Sequence, residues 1–181
     1  MELKSALEQL GLLQKKLYAY QTASSSLYLD SVTVAPKDTS EGRGVALGIL
    51  AGESQKLMTA PETGELLAFL ADQKENLSFV EQRQVEELKR SYDRLSRIPA
   101  DEYMDYAMLT NEASDVWHRA KESSDFTLFA PVLEKLVAYN RKFAGYYDSS
   151  KKPYDALLDE YERGADMAFL DTFFETVRER L

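Results

Sequence analysis

Residues 1–20 read MELKSALEQLGLLQKKLYAY, and the spacing of their apolar side chains decides the fold class. These side chains recur at steps of three and four residues, at Leu3, Leu7, Leu10, Leu13, Leu17 and Tyr20. The spacing places them on one stripe of an α-helix, because residues three and four apart share a helix face. The stretch therefore predicts a long amphipathic helix at the start of the chain.

The same helical spacing returns along the chain. It is found at Val85, Leu88, Tyr92 and Leu95, at Tyr103, Tyr106, Thr110, Ala113, Trp117 and Ala120, and at Met167, Leu170, Phe174, Val177 and Leu181. The composition agrees, because 25 Leu and 19 Ala against 9 Val and 2 Ile favour helices over strands. We predict an all-α fold without a sheet. About eight helices are expected, near 2–29, 40–58, 61–75, 79–97, 99–122, 126–147, 153–162 and 167–181.

Helix starts are marked by a short polar side chain followed three residues later by glutamate, since each side chain can accept a backbone N–H of the other. Three such pairs occur, at Asp38 with Glu41, Thr59 with Glu62, and Ser78 with Glu81. Further helix starts are expected at Pro99, Asp125, Pro153 and Asp166, with Pro131 kinking or restarting the sixth helix. The first helix is expected to continue to about Asp30, before a turn at Pro36.

The charge balance disfavours two classes of partner. The chain has 31 Asp and Glu against 22 Lys and Arg, which leaves a formal net charge of -9. Nucleic acids and anionic membranes would therefore be repelled by the molecule as a whole. The chain has no cysteine, so neither a disulfide nor a cysteine-ligated metal can form.

No linker, composition shift or repeat of about 20–50 residues divides the chain, so a single helical domain over 1–181 is expected. The amino terminus lacks the apolar block of a signal peptide, and the uncharged apolar run Gly44–Gly52 is far shorter than the ~20 residues of a spanning helix. We therefore expect a cytoplasmic protein without a membrane segment. The last stripe reaches Leu181 without a Gly or Asn stop signal, which predicts a chain cut at a helix edge.

The single histidine is the first candidate metal ligand. His118 follows Asp115 by three residues and Glu112 by six, which resembles half of a di-iron site in a helical bundle. The complete site needs a Glu-x-x-His pair from each of two helices, and one histidine cannot supply both. We predict instead that Trp117 is largely buried, while Asp115 and Glu112 are exposed to solvent.

Four acidic residues after Pro153 are the second candidate, namely Asp155, Asp159, Glu160 and Glu162. Two carboxyl groups can act as acid and base if burial raises the pKa of one of them. The sequence contains no sign of such burial. A solvated helix face is therefore favoured, with Asp155 suited to stabilising the helix amino terminus.

The aromatic doublets Tyr146–Tyr147 and Phe173–Phe174 each turn one ring away from the core stripe. Those outward rings are candidates for contacts beyond the chain. A Gly-rich phosphate loop, a G-x-S-x-G elbow and an H-E-x-x-H pair are all absent from the sequence. We therefore assign no catalytic residue and no metal ligand, and no substrate-binding residue can be named.

Residues 27–43 read LYLDSVTVAPKDTSEGR and resemble the amino-terminal signature of the Taq-type metallocarboxypeptidases. That signature reads approximately L-x-W-D-x-x-T-x-x-P, followed by a glycine turn and an arginine. It is matched here by Leu27, Asp30, Thr33, Pro36 and Arg43. Leu29 stands in place of the tryptophan, and Asp38 and Thr39 replace the glycine turn.

Three downstream segments resemble consecutive segments of the same family, in the same order and at the same spacing. They are YDRLSRIPADEYMD at 92–105, SDVWHRAKESSDFTLFAPVLEKLV at 114–137 and PYDALLDEYERG at 153–164. The resemblance covers essentially the whole chain. Its family consists of zinc-dependent enzymes that remove carboxy-terminal residues from peptides and are far longer than 181 residues.

The resemblance implies a helical fold with a long groove, for which this chain would supply part of the wall. In the family, two histidines of an H-E-x-x-H helix hold Zn²⁺ and the adjacent glutamate activates its bound water. Those residues lie past the part that this chain resembles, so zinc or another divalent metal is expected only in the full-length enzyme. Asp30, Pro36 and Arg43 are interpreted as turn and capping residues. The resemblance further implies a peptide substrate and a homodimer for the full enzyme.

We therefore predict the amino-terminal helical region of a metallocarboxypeptidase, inactive without its carboxy-terminal catalytic region. Apolar surface should remain exposed around Phe173, Phe174 and Leu181 or around Tyr146–Tyr147, and another molecule should cover it. The alternative is a free-standing helical interaction module without enzymatic activity, which Leu29 and the altered turn at 37–39 favour. A reading frame that continues into an H-E-x-x-H segment supports the enzyme, whereas a natural stop codon supports the module.

Overall fold

The computed structural model describes residues 1–36 and 39–181, and its regular structure is helical. The α-helices are α1 (Leu3–Thr33), α2 (Ser40–Thr59), α3 (Pro61–Asp72), α4 (Phe79–Leu95), α5 (Ala100–Ser123), α6 (Ala130–Tyr147), α7 (Pro153–Tyr161) and α8 (Met167–Arg180). Two short 3₁₀ turns cover Lys74–Asn76 and Phe126–Leu128. Because the described residues contain eight α-helices and no strand, the prediction of an all-α fold is confirmed.

The Ser78 capping box is present as predicted. The Ser78 hydroxyl oxygen accepts a hydrogen bond from the Glu81 backbone N–H at 3.4 Å, and the Glu81 carboxylate accepts from the Ser78 N–H at 2.8 Å. The Ser78 hydroxyl also donates to that carboxylate at 2.6 Å. The side-chain and backbone hydrogen bonds from Ser78 favour the ionised form, so they hold the pKa of Glu81 below its ordinary value.

The other predicted caps have mixed outcomes. Asp166 caps α8 by accepting a hydrogen bond from the Phe169 N–H at 2.8 Å. The predicted pairing of Thr59 with Glu62 is wrong, because Ala60 is the N-cap of α3 and the Thr59 hydroxyl donates to the Gln55 carbonyl of α2. The pairing of Asp38 with Glu41 lies outside the described residues, because residue 38 is not among them.

The start of the sixth helix also differs from the prediction. Asp125 accepts a hydrogen bond from the Thr127 N–H at 2.9 Å and thereby caps the 3₁₀ turn Phe126–Leu128. Only then does α6 begin, at Ala130. Pro131 thus restarts the chain as a new helix, because its ring is compatible with a first helical turn and its missing N–H has no partner there.

The described chain divides into two compact units, Met1–Leu133 and Glu134–Leu181. In the first unit α2 packs mainly on α5 and also contacts α1, α3 and α4, while α3 packs on α4 and α1. A cluster of buried side chains joins α1, α3, the link after α3, and α4. Its members are Ala6, Leu10, Leu66, Leu67, Leu70, Leu77 and Val85. Single-domain organisation over 1–181 stays a prediction.

Three buried glycines line the face of α2 that packs on α5. Gly44, Gly48 and Gly52 follow one another at steps of four residues and therefore share a helix face. A Cβ atom at Gly48 would lie 2.7 Å from Cγ of Met108 on α5. The two helices therefore approach more closely than a side chain at residue 48 would permit without displacing Met108.

The prediction that Trp117 is largely buried is wrong, since 42% of its surface is exposed. The buried side of α5 is formed by Leu109, Ala113, Val116 and Ala120. Successive residues of a helix are turned by about 100°, so a buried line that includes Val116 leaves the neighbouring Trp117 outside it. The Trp117 ring instead packs edge-on against His118, with 4.8 Å between centroids, and lies under Lys121 Nζ at 4.9 Å.

The second unit contains most of α6 together with α7 and α8. The Asp155 carboxylate accepts a hydrogen bond from the Met167 N–H at 2.9 Å, which ties the start of α7 to the start of α8. The Asp159 carboxylate accepts from the Gly164 N–H at 2.9 Å, where glycine adopts a φ of +81°. Across the described residues, none of the helices in either unit combines the length and apolarity needed to span a bilayer.

Candidate functional site

Arg43 forms the centre of a polar network that joins α2 to α5 in the first unit. It lies in the first turn of α2, and only 8% of its side-chain surface is exposed. Its Nε donates a hydrogen bond to Asn111 Oδ1 at 2.9 Å, and its Nη2 donates to both carboxylate oxygens of Asp115 at 3.3 and 3.1 Å. Its Nη1 donates to the Thr39 hydroxyl at 3.4 Å. The guanidinium group therefore has partners on all three of its nitrogens.

Asn111 and Asp115 are the two residues of α5 that bind the first turn of α2. They lie one turn apart on α5, and the Asn111 amide also donates a hydrogen bond to the Ser40 carbonyl at 3.1 Å. The pair thus binds both the backbone and the side chain of the first turn of α2. A half-buried ion pair with these extra hydrogen bonds is costly to break, because removal of either partner leaves the other incompletely compensated.

The prediction that Glu112 and Asp115 of α5 are exposed is half right. Glu112 is exposed, as predicted. The prediction that Asp115 faces solvent is wrong, because only 34% of its side chain is exposed and its carboxylate is paired with Arg43. The partner is separated from it by 72 positions in sequence, so helical spacing within α5 contains no sign of it.

A cleft of about 430 Å³ lies beside this network. Its lining comes from α1, α2 and α5, and includes Ser24, Tyr28, Leu47, Ser114 and Asp115. These side chains offer hydroxyl groups, a phenol ring and a carboxylate that is already engaged by Arg43. The cleft can therefore form hydrogen bonds and apolar contacts. Among the described residues, its lining contains neither a histidine nor a second carboxylate that could complete an acid–base pair.

The donor atoms of α5 do not fit a divalent metal. A catalytic zinc site takes three protein ligands that converge on one point. The His118 ring packs on Trp117, Asp115 is committed to Arg43, and Glu112 lies exposed without converging on them. Among the described residues, no group of three or more histidine and acidic side chains is arranged to hold a metal ion. The assignment of no catalytic residue and no metal ligand to this chain stays a prediction.

The acidic cluster of α7 has a structural explanation. Asp155 and Asp159 each accept a backbone N–H from the segment that follows α7. Glu160 and Glu162 are exposed. This arrangement agrees with the interpretation of the cluster as a helix face and terminus, and the Asp155 contact explains why an acidic residue is useful there.

The signature residues of 27–43 serve the end of α1 and the turn that follows. The Asp30 carbonyl accepts hydrogen bonds from the N–H groups of Val34 and Ala35, at 3.1 and 2.9 Å, where α1 ends. The Pro36 carbonyl accepts from the backbone and hydroxyl of Thr39, at 3.2 and 2.7 Å. These contacts support the interpretation of Asp30 and Pro36 as turn and capping residues. For Arg43 the interpretation is wrong, because its guanidinium group joins α2 to α5. Sequence reasoning missed Asn111, whose only signal was its position one turn before Asp115.

Comparison with known proteins relates this architecture to a family of peptidases. The family model described as Carboxypeptidase Taq (M32) metallopeptidase matches residues 9–181. Carboxypeptidase 1 of Bacillus subtilis is 36% identical over 169 residues, which cover 93% of this chain and 34% of that protein. Thermostable carboxypeptidase 1 of Pyrococcus furiosus is 32% identical over 167 residues, which cover 92% of this chain and 33% of that protein.

A solved structure shows the same fold. The crystal structure of BsuCP has a TM-score of 0.90 and 35% sequence identity, and the alignment covers 96% of this chain and 35% of that one. The chain thus spans about a third of the length of the relatives that it matches. The match of the family model includes the Arg43 network, the cleft, the second unit, and the first unit from residue 9 onward. The chain therefore belongs to the Carboxypeptidase Taq (M32) metallopeptidase family.

Proposed function

We propose that this chain is the amino-terminal third of a metallocarboxypeptidase that removes carboxy-terminal residues from peptides. The observation that carries this proposal is the family match over residues 9–181 by a chain that spans 34% of a carboxypeptidase relative. The remaining two-thirds would hold the divalent metal, which we expect to be zinc, and the groups that act on the peptide bond. This chain would supply part of the groove wall.

The exposed apolar side chains of α1 support the role in a wall. Tyr28, Leu29 and Val32 are 60%, 61% and 46% exposed, and Tyr28 also lines the cleft between α1, α2 and α5. Large apolar side chains that cluster on one surface are typical of contact with a further part of a protein or a ligand. This surface is therefore the part of the first unit best suited to face the groove.

The same proposal predicts that the isolated chain is inactive. It has one histidine, and the donor groups near that histidine are engaged elsewhere or diverge. We expect the purified 181-residue chain to bind no stoichiometric zinc and to release no amino acids from peptides.

A chimera tests the whole proposal. The chain would replace the matching 169-residue segment of the Bacillus subtilis carboxypeptidase 1, and metal content and release of carboxy-terminal amino acids would be measured. We expect the chimera to bind a divalent metal and to be active, and a chelator to abolish its activity. The unmodified relative and the isolated chain are the controls.

Two results would contradict the proposal. Activity or stoichiometric metal in the isolated chain would show that the catalytic groups were misjudged. A chimera that folds and binds metal but is inactive would favour the free-standing interaction module, for which the exposed aromatic residues Phe173 and Phe174 are the supporting observation.

A further inference from the structure

Met108 combines exposure to solvent with a packing position between two helices. It lies on α5, and 37% of its surface is exposed. Its Sδ lies 3.1 Å from the point where a Cβ atom of Gly48 on α2 would stand, and its Cγ lies 2.7 Å from that point. The thioether therefore rests directly on the backbone of α2, while another part of the same side chain is open to water.

Met108 lies midway along the contact between α2 and α5. One turn towards the start of α5, Met104 packs on Gly52, and one turn towards its end, Asn111 packs on Gly44. The amide group of Asn111 also binds the first turn of α2. A chemical change at Met108 therefore acts at the centre of this helix pair.

A methionine thioether that peroxide can reach is oxidised to a sulfoxide. A lone pair of Met108 Sδ attacks one oxygen of hydrogen peroxide, the O–O bond breaks, and a bond between sulfur and oxygen forms. The proton of the transferred hydroxyl passes to the leaving oxygen, which departs as water. Sulfur loses two electrons and the peroxide gains them. Methionine sulfoxide reductases reverse the change, because two thiols become a disulfide while the sulfoxide oxygen leaves as water.

The sulfoxide does not suit the contact with Gly48. Its oxygen adds volume to a contact that is already close, and it converts an apolar group into a polar hydrogen-bond acceptor. The N–H groups of α2 at this point are already bonded to carbonyls four residues earlier in the helix. An oxygen held against Gly48 would lose its hydrogen bonds to water without gaining others, so the modified side chain leaves the contact.

We propose that Met108 is a reversible oxidation site, at which conversion to the sulfoxide by a peroxide loosens α2 from α5 and reduction restores the contact. This inference concerns the 181-residue chain itself and does not rest on the proposed enzymatic function. Met167 is the natural comparison, because it is also 37% exposed but lies at the start of α8, a helix without a buried residue. Met58 is 6% exposed and serves as the protected reference.

Treatment of the purified chain with dilute hydrogen peroxide tests the site. Mass spectrometry of peptides should show that Met108 and Met167 each gain one oxygen well before Met58 does. Oxidation should lower the melting temperature by about 4 °C or more, and the two epimer-specific methionine sulfoxide reductases with a thiol should restore it. Hydrogen exchange in peptides that cover 44–52 should become faster as Met108 is modified.

Substitutions assign the effect to one sulfur. Met108→Leu should abolish the fall in melting temperature on oxidation, whereas Met167→Leu should retain it. Each variant is compared with itself before and after peroxide, because leucine is branched and packs differently on Gly48. Met108→Gln places a polar group of similar length on Gly48, so it should lower the melting temperature without any oxidant, and Met167→Gln should not.

Four results would each overturn the proposal. They are oxidation of Met108 as slow as that of Met58, complete oxidation of Met108 without a change in melting temperature, an equal fall in oxidised Met108→Leu, and equal melting temperatures of Met108→Gln and the unmodified chain.

Discussion

Arg43 owes its position to partners that are remote in sequence and adjacent in space. Its guanidinium group binds the amide of Asn111 and the carboxylate of Asp115, and these contacts join the first turn of α2 to the middle of α5. A planar group with several donors suits this task, because its Nε binds the amide oxygen while its Nη2 binds the carboxylate. A lysine offers one charged nitrogen and cannot occupy both positions.

We expect Arg43→Met to lower the free energy of unfolding by about 2 kcal/mol, because it leaves Asp115 and Asn111 without their donor in a half-buried position. Arg43→Lys should recover only part of that loss. Urea denaturation followed by far-UV circular dichroism measures both values.

The matched control is Arg83→Met. Arg83 also pairs with two carboxylates, Glu86 and Glu87, but its side chain is 50% exposed and all three residues lie on α4. Its loss should cost less than about 0.5 kcal/mol. Equal effects of Arg43→Met and Arg83→Met would show that the Arg43 network does not stabilise the contact between α2 and α5.

The contact between α2 and α5 depends on the absence of side chains at one face of α2. The glycines at 44, 48 and 52 lower the helix propensity of α2, so their benefit must come from packing. The structure supplies that benefit, because Met104, Met108 and Asn111 of α5 lie directly against them. The close approach also brings Asn111 within reach of the Ser40 carbonyl.

We expect Gly48→Leu to destabilise the chain by about 1–3 kcal/mol, because the new side chain would displace Met108 and separate the helices. Gly11→Leu is the matched control, since Gly11 is also in a helix but a Cβ there meets nothing within 4 Å. The control should be neutral or stabilised by up to about 1 kcal/mol through its better helix propensity. Thermal unfolding of both variants in parallel would contradict this account if Gly48→Leu proved the more stable.

The whole molecule has its most extensive packing in the first compact unit. The cluster of buried leucines joins α1, α3 and α4 there, whereas α8 in the second unit has no buried residue. Local stability follows the number of buried apolar contacts, so different parts of the chain should open with different free energies.

Native-state hydrogen exchange should therefore separate the helices. We expect the amides of α3 and of the middle of α5 to exchange most slowly and those of α8 to exchange first. Mass spectrometry of peptic peptides gives the order directly. Protection of α8 equal to that of α5 would mean that α8 is stabilised by contacts other than those described.

Much of the fold followed from local sequence alone. Helix formation depends on hydrogen bonds between residues four apart and on side chains at the ends, so the positions of most helices and the Ser78 and Asp166 caps could be predicted. The resemblance of 27–43 and three later segments also identified the family, which the match over residues 9–181 confirms.

The tertiary structure alone decided which face of each helix became the core and which polar residues met. On α5, two apolar lines about 100° apart share Ala113 and Ala120, and helical spacing cannot choose between Val116 and Trp117. In the folded chain Val116 is buried and Trp117 is not, while a separate face of α5 meets the glycines and Arg43 of α2. Such contacts join residues about 70 positions apart, and no local pattern encodes the partner that a folded neighbour will present.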